Sequence, residues 1–205
     1  MRQELVSLRP MQVLFVDVGQ GTCQIILLGG QRAIVIDAGA APGTALRILR
    51  LHKITRLEHV VISHSHIDHS GGAAKRARLR DGAVSGILAD YSASIGTIWC
   101  VHDHLFYRTA LASYLLKLQK DKTIRSEQVQ FISAGNAPQE LWGSDDGNTV
   151  LAAIAPTGGH LMMAHASEDA NAACAILELR HRGHRIVFTG DSVIDQWRDV
   201  YRLRG

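Results

Sequence analysis

The chain has 205 residues, of which 46% are hydrophobic and 20% charged, a composition typical of a globular domain that buries a core without disulfides. The formal net charge of +3 permits an anionic substrate without requiring one. The three cysteines, Cys23, Cys100 and Cys174, lie in apolar runs, which predicts buried thiols in the cytoplasm and excludes a disulfide framework. The amino terminus lacks the apolar core of a signal peptide, and no apolar run approaches the ~18 residues of a membrane span. We therefore expect a single domain over residues 1–205 with no membrane partner.

The first part of the chain alternates apolar runs with glycine-rich turns. This pattern predicts an antiparallel meander of strands over 11–18, 22–28 and 32–37. A helix over 44–53 and a buried strand through residues 60–62 are expected next. Gly71 and Gly72 are expected to turn the chain sharply before a short helix over 73–80.

The rest of the chain mixes short strands with two well-patterned helices. Strands are predicted over 84–88, 96–101, 129–132 and 149–155, with a hairpin of 173–179 and 185–188. One helix is predicted over 105–120 and a second over 193–203, where Ile194, Trp197 and Val200 share a face. The segment 136–148 is rich in turn residues. Interspersed strands and helices predict an α/β (α+β) fold with two mixed sheets and helices outside.

The segment after residues 60–62 concentrates groups that bind metal ions. His64, His66, Asp68 and His69 fall within six positions. Two imidazoles at i and i+2 of extended chain point the same way, so His64 and His66 can share one cation. Asp68 and His69 follow the strand and can point at a second cation. Mixed imidazole and carboxylate ligation suits Zn²⁺, and also Mn²⁺ or Fe²⁺. The alternative interpretation is a polar surface loop that is rich in histidine.

Several segments resemble motifs of the metallo-β-lactamase-fold hydrolases and occur in the order of that family. They are FVDVGQG at 15–21, VIDAG at 35–39, HSHIDH with GG at 64–72, NAAC at 171–174 and IVFTGD at 186–191. The first and the last two resemble the branch that contains the hydrolase domain of the DNA-uptake competence protein ComEC. The resemblance implies an αββα sandwich with its metal site at one edge between the sheets.

The same resemblance adds Asp191 as a carboxylate that bridges two ions about 3.5–4 Å apart. Such a pair would lower the pKa of a shared water from about 15.7 towards about 7, which gives hydroxide at neutral pH. Asp68 could take up the proton as this nucleophile attacks. The expected catalytic residues are His64, His66, Asp68 and Asp191, and the expected metal ligands are these four with His69.

Further residues carry weaker expectations. Asp37 is expected to orient a metal-ligating histidine through a hydrogen bond. Asp17 either joins this outer layer or only caps the turn after its strand. Asn171 either reaches the edge of the site or fixes the loop before its strand. His165 lies where many relatives place a further histidine ligand, and the alternative is a solvated loop histidine.

Two other polar segments lie outside the family motifs. His102, Asp103 and His104 are interpreted as a surface loop. The basic side chains after the metal-binding segment either contact phosphates of a nucleic acid or form a solvated helix face; they are Lys75, Arg76, Arg78 and Arg80.

The end of the chain departs from the family pattern. Fourteen residues follow Asp191, and none is the late histidine that ComEC-like chains carry. We therefore expect the domain to be C-terminally short, with the exposed sheet edge covered by a partner chain or a second copy. The ion at Asp68 and His69 is then expected to bind more weakly than the other.

The leading functional hypothesis is a metal-dependent hydrolase that cleaves phosphodiester bonds in DNA or a nucleotide. The reaction type follows from the ligand chemistry, and the phosphodiester substrate follows from the resemblance. Two alternatives stay open. One is hydrolysis of a lactone, β-lactam or thioester by the same chemistry, and the other is a non-catalytic subunit that keeps the fold within a larger complex.

Overall fold

The structure is a computed structural model that describes residues 11–78, 84–135 and 137–204. The amino-terminal ten residues, Arg80 and Asn136 lie outside these ranges. The strands are β1 (Gln12–Phe15), β2 (Gln24–Gly29), β3 (Arg32–Ile36), β4 (Arg56–Ile62), β5 (Ala77–Arg78), β6 (Val84–Ser85), β7 (Ile95–Cys100), β8 (Val129–Phe131), β9 (Gln139–Gly143), β10 (Thr149–Ala155), β11 (Ile176–His181) and β12 (His184–Phe188). The helices are α1 (Gly43–Leu51), α2 (Ile67–Ala74), α3 (Ile87–Tyr91), α4 (Ala110–Lys120), α5 (Gly158–Ser167) and α6 (Ile194–Arg204).

Two sheets form the centre of the molecule. The larger has the strand order β1-β2-β3-β4-β7-β8, and the smaller has the order β12-β11-β10-β9. β1, β2 and β3 pair antiparallel, in agreement with the predicted meander, whereas β3, β4, β7 and β8 pair parallel. The hairpin of β11 and β12 pairs through the predicted turn, with His181 opposite His184.

The larger sheet is buried on both faces, and the alternation of its side chains shows how. In β4, Val61 packs towards the smaller sheet, while Val60 and Ile62 pack on the opposite side. Successive strand residues point to opposite faces, so strands covered on both sides have unbroken apolar runs. The smaller sheet contributes residues such as Leu151 and Leu177 to the layer between the sheets.

Helices cover the two outer faces of this pair of sheets. Leu46 of α1, Ala73 of α2 and Leu115 of α4 pack on the outer face of the larger sheet. On the smaller sheet, Trp197 and Val200 of α6 join a cluster with Ile154, Ala155 and Ile176. The layers therefore run helix, sheet, sheet, helix, and the predicted αββα sandwich is confirmed.

The parallel strands bring distant segments to one edge. β3 ends just before Asp37, β4 just before Ser63 and His64, and β7 just before Val101 and His102. Because the carboxyl ends of parallel neighbours meet at the same edge of a sheet, the segments that follow these strands are neighbours. This edge is the one at which the metal-binding segment begins.

The two glycines after the metal-binding segment do not turn the chain, and that expectation was wrong. Gly71 and Gly72 lie inside α2, which ends at Ala74, so the predicted helix over 73–80 was also wrong. The glycines are needed for close packing: a Cβ at Gly72 would lie 2.0 Å from the Ala38 carbonyl oxygen. The absence of side chains lets α2 approach the turn after β3.

Four other expectations need correction. The segment 84–88 is not one strand, because β6 ends at Ser85 and α3 follows. The turn-rich segment contains strand β9, and the segment before Asn171 contains α5, whose amino end is capped by the Thr157 side chain. Ile194 is 66% exposed, because the inward position at the start of α6 is taken by Gln196, which donates to the Cys174 carbonyl oxygen at 2.8 Å.

The smaller sheet has an edge at β12, which pairs only with β11 in the part of the chain that is described. Coverage of this edge by a partner chain or a second copy stays a prediction. None of the described helices combines the length and apolar character needed to cross a membrane.

The close approach at Gly72 predicts a large effect of a single methyl group. We expect Gly72→Ala to destabilise the fold by about 1–3 kcal/mol, because the backbone of Ala38 must shift. At about 2–4 °C per kcal/mol for a chain of this size, thermal unfolding should report the change. Gly43→Ala is the matched control, since a Cβ there meets nothing within 4 Å. Equal melting temperatures for the two variants would contradict this account.

The His59 imidazole predicts a dependence of stability on pH. It accepts a hydrogen bond from Trp99 Nε1 at 3.3 Å, and burial lowers its pKa to about 4. The unfolded chain, with a histidine pKa of about 6.5, binds the proton first, so stability should be complete above that pH. It should fall as the pH drops from about 6.5 towards about 4. Chemical denaturation across this range should show a shallower fall for His59→Gln, and identical slopes would refute the assignment.

Candidate metal centre

The Asp37 carboxylate organises the edge where the parallel strands end. It is 1% exposed, and its backbone adopts the left-handed conformation with φ of 54°. One oxygen accepts from the Ser63 amide at 2.8 Å. The other accepts from the hydroxyls of Ser63 and Thr22 at 2.7 and 2.8 Å, and from His69 Nδ1 at 2.8 Å. The Asp37 side chain thus connects four parts of the chain: the end of β3, the segment after β4, helix α2, and the turn that precedes β2.

These donors also fix the charge of the carboxyl group. Burial by itself would raise the pKa of Asp37, but the hydrogen bond and charge of His69 and the donors of Ser63 lower it below its ordinary value. Asp37 is therefore a carboxylate, which only accepts hydrogen bonds. It follows that His69 Nδ1 carries a proton.

The second ring nitrogen of His69 is then left as a free lone pair. Nε2 is buried without a hydrogen-bond partner among the described residues, and it lies 3.4 Å from Asp191 Oδ1. Burial favours the neutral imidazole, but the hydrogen bond and charge of Asp37, with the charges of Asp191 and Asp68, outweigh it and raise the pKa of His69. The local field attracts a positive charge to Nε2. A divalent cation fits this position, because it would separate two facing electron-pair donors.

His64 and His66 form a second pair of converging nitrogens. His64 Nε2 lies 3.1 Å from His66 Nδ1, a distance that suits two ligands of one tetrahedral ion. Nδ1 of His64 lies 3.1 Å from Ser63 Oγ and 3.6 Å from Cys174 Sγ. Burial and the nearby His69 lower the pKa of His64 to about 4, so it is neutral and able to bind metal at pH 7.

The two pairs are not separate in space. Ligand atoms of His64, His69 and Asp191 all lie within 4.8 Å of one another, and the His64 and His69 ring centroids are 4.2 Å apart. This group combines residues that the sequence pattern assigned to different ions. Two predicted ligands lie outside this group: His66, which instead contacts His64, and Asp68, half-buried in the first turn of α2. How the ligands divide between one or two ions stays a prediction.

The outer residues fall into different places. Asp17 is exposed, and its side chain accepts a hydrogen bond from the Gly19 amide at 3.0 Å. This contact is the one expected if Asp17 caps the turn after its strand. Asn171 lies in the short helix Ala170–Ala173, and its side-chain oxygen is buried without a partner among the described residues. His165 lies on α5 and is not among the residues that converge with His64. Its ring instead faces those of His102 and His104, at centroid distances of 6.1 and 6.4 Å.

The segment around Asp103 was interpreted as a surface loop, and for Asp103 this was wrong. This residue is 1% exposed, and its carboxylate accepts from the Ser65 amide at 2.9 Å. Register explains the contact: Cys100 pairs with Ile62, so the segments that follow β7 and β4 run side by side. Position in the sequence did not reveal this, because the pairing of β4 with β7 is a tertiary contact.

Sequence reasoning also missed Thr22 and Ser63, which hold Asp37, and it did not place the Cys174 thiol beside His64. Ser63 directly precedes the histidines, and that position was the available signal. Gly21 shows how tightly this region packs, since a Cβ there would lie 1.8 Å from the Asp68 carbonyl oxygen and its φ is +85°.

The chain is similar to several solved structures at low sequence identity. Among solved structures, the chain is similar to the DIM-1 metallo-beta-lactamase, with 14% identity, a TM-score of 0.37, and coverage of 82% of this chain and 59% of that one. It is also similar to TMB-1, with 15% identity, a TM-score of 0.43, and coverage of 95% and 83% respectively. A DIM-1 structure exposed to ceftazidime shares 14% identity, with a TM-score of 0.41 and coverage of 94% and 77%.

No match was found among curated proteins. The sequence model of the Metallo-beta-lactamase superfamily matches residues 16–165, a segment that contains His64, His66, Asp68 and His69. The chain therefore belongs to the metallo-beta-lactamase superfamily.

Proposed function

We propose that this protein is a metal-dependent hydrolase that cleaves phosphodiester bonds in DNA or a nucleotide. The observation that carries the metal-dependent part is the buried lone pair of His69 Nε2, which faces Asp191 Oδ1 at 3.4 Å with no hydrogen-bond partner among the described residues. A buried polar atom without a partner is costly, and a cation removes that cost.

The proposed roles follow from the contacts. Asp37 holds His69 in one tautomer and orientation, so that Nε2 points towards Asp191. Asp191 has a side chain that is 43% exposed, so substrate and water can reach the pair. Asp68 lies close enough to influence the charge of His69, and we assign to it the uptake of a proton from the attacking water. Zn²⁺, or Mn²⁺ or Fe²⁺, would supply Lewis acidity when bound, acidifying water and offsetting negative charge on the substrate.

Two features support a phosphodiester substrate. The exposed Arg76 and Arg78 follow α2, directly after the ligands, where they can reach a phosphate backbone. The FVDVGQG and NAAC segments resemble the ComEC-like branch, which suggests a nucleic-acid substrate by analogy. We place the protein in the cytoplasm, since its three cysteines are free and buried.

Replacing single metal-ligand side chains should distinguish a metal-dependent enzyme from a protein that has the same fold but binds no metal. We expect His66→Ala and Asp68→Ala each to lower bound metal and hydrolysis by at least about 10- to 100-fold, the scale seen even for residues that only support ligands. His184→Ala is the control, because it removes an exposed imidazole on β12. Metal content measured by mass spectrometry that is unchanged in both ligand variants would refute the site. Full metal binding without turnover of any substrate class would favour the non-catalytic subunit.

Salt dependence should identify the substrate class. If phosphates are bound, the affinity for single- or double-stranded DNA should fall steeply with salt, with a log–log slope of roughly −0.7 to −0.9 per neutralised phosphate. Arg76→Glu combined with Arg78→Glu should flatten this slope by about one unit for each phosphate that is no longer neutralised. Arg125→Glu is the matched control, because Arg125 precedes β8 and so lies at the opposite end of the parallel strands. Turnover of a lactone, β-lactam or thioester without DNA cleavage would overturn the phosphodiester assignment.

A further inference from the structure

An open cavity of about 500 Å³ lies between the segment after β7 and helix α5. It is lined by His102, Leu161, Met162, His165 and Ala166. Its size falls within the ~300–1,000 Å³ that is usual for small-molecule sites. The residues assigned above to metal binding and catalysis do not line it.

The imidazole of His102 is held in place by a group of aromatic rings. Phe106, Tyr107 and Phe131 contact it edge-on, with centroid distances of 6.2, 5.1 and 5.2 Å. Such edge-to-face contacts fix the ring plane. Met162 adds an exposed apolar side chain to the same cavity, at 75% exposure. The cavity wall itself therefore consists of two imidazole rings, those of His102 and His165, beside apolar side chains, and the aromatic rings behind His102 support it from outside the lining.

Polar capacity at this wall is unused. Within the described part of the chain, no side chain forms a hydrogen bond with the ring nitrogens of His102 or His165. Nearby, His104 Nδ1 is buried without a partner among the same residues. Neutral imidazole offers one donor and one acceptor, so these rings can match the donors and acceptors along the edge of a heterocycle.

The cavity is attached to the metal-binding segment. Asp103 lies between His102 and His104 in the sequence, and Ser65 lies between His64 and His66. The Asp103 carboxylate accepts a hydrogen bond from the Ser65 amide at 2.9 Å. The parallel pairing of Ile62 with Cys100 places the two segments at the same height on the sheet edge. The cavity and the metal-binding segment therefore follow neighbouring strands at the same edge of the larger sheet.

We propose that this cavity is the subsite for one nucleobase of the substrate, stacked on the His102 ring and hydrogen-bonded by His165. As a substrate subsite it rests on the proposed phosphodiesterase function, which it deepens. A base has both a flat π face and an edge of hydrogen-bond groups, whereas an aliphatic acyl group has neither. Stacking on aromatic side chains tolerates different bases. We therefore expect the subsite to distinguish ligands with a base from ligands without one, and to distinguish little between different bases.

Binding of two matched ligands tests the subsite without depending on catalysis. A nucleoside 5′-monophosphate and ribose 5-phosphate differ only in the base, so the ratio of their dissociation constants isolates it. In calorimetric titration of the full chain, the dissociation constant of ribose 5-phosphate should be about 5 or more times that of the nucleoside monophosphate. This factor is the lower end expected for one stacked base. Ala166→Trp, which fills the cavity, and His165→Ala, which removes a ring, should each bring the ratio towards 1.

Met163→Ala is the matched control, because Met163 is exposed on the same helix and does not line the cavity. Thermal unfolding checks that all variants keep the fold. A ratio near 1 in the natural sequence, no detectable binding of the monophosphate at millimolar concentration, or an unchanged ratio in both cavity variants would each overturn the subsite. Hydrolysis of a small phosphodiester without a base is measured separately. If this hydrolysis is absent but the ratio of dissociation constants is as expected, the proposed function alone is refuted. If the hydrolysis is present but the ratio is near 1, the subsite alone is refuted.

Discussion

The interaction on which the site depends is the buried carboxylate of Asp37. Four hydrogen-bond donors from three separate segments converge on its two oxygens, so the group stays ionised although it is almost inaccessible to water. A buried carboxylate without these donors would be strongly destabilising. The same bonds connect β3 to the segment after β4 and to α2. The geometry of the ligands is therefore a consequence of how one negative charge is solvated by the protein.

Fixing that charge determines what lies on the other side of His69. Since Asp37 holds the proton on Nδ1, Nε2 has a lone pair in a buried position beside Asp191. Two electron-pair donors facing each other repel unless a proton or a cation lies between them. The neighbouring His64 is kept neutral by burial, so it also offers a lone pair. The fold thus brings together several groups that can give an electron pair to a cation, beside the negative charge of Asp191.

Packing extends this arrangement beyond the ligands. The segment after β7 is tied to the metal-binding segment through Asp103, and α5 lies across from it. Rings on both sides form a wall that the metal ligands do not share. The metal-binding segment and the proposed base subsite follow adjacent strands, and the parallel pairing of β4 and β7 sets the spacing between the segments that follow these strands.

The sequence alone determined the ligand-rich segment and most strand positions, because these follow from local periodicity and from ligand types at short spacing, whereas the αββα sandwich was implied by the resemblance to the family. It also indicated Asp37 as a residue that orients a histidine. Contacts between segments far apart in the chain were not accessible to it. Whether Gly72 serves a turn or a close approach depends on where α2 meets Ala38, and the burial of Asp103 depends on which strand lies beside β4. The resemblance assigned Asp191 and His69 to one site although more than a hundred residues separate them, but the distance between their atoms depends on the packing of the two sheets.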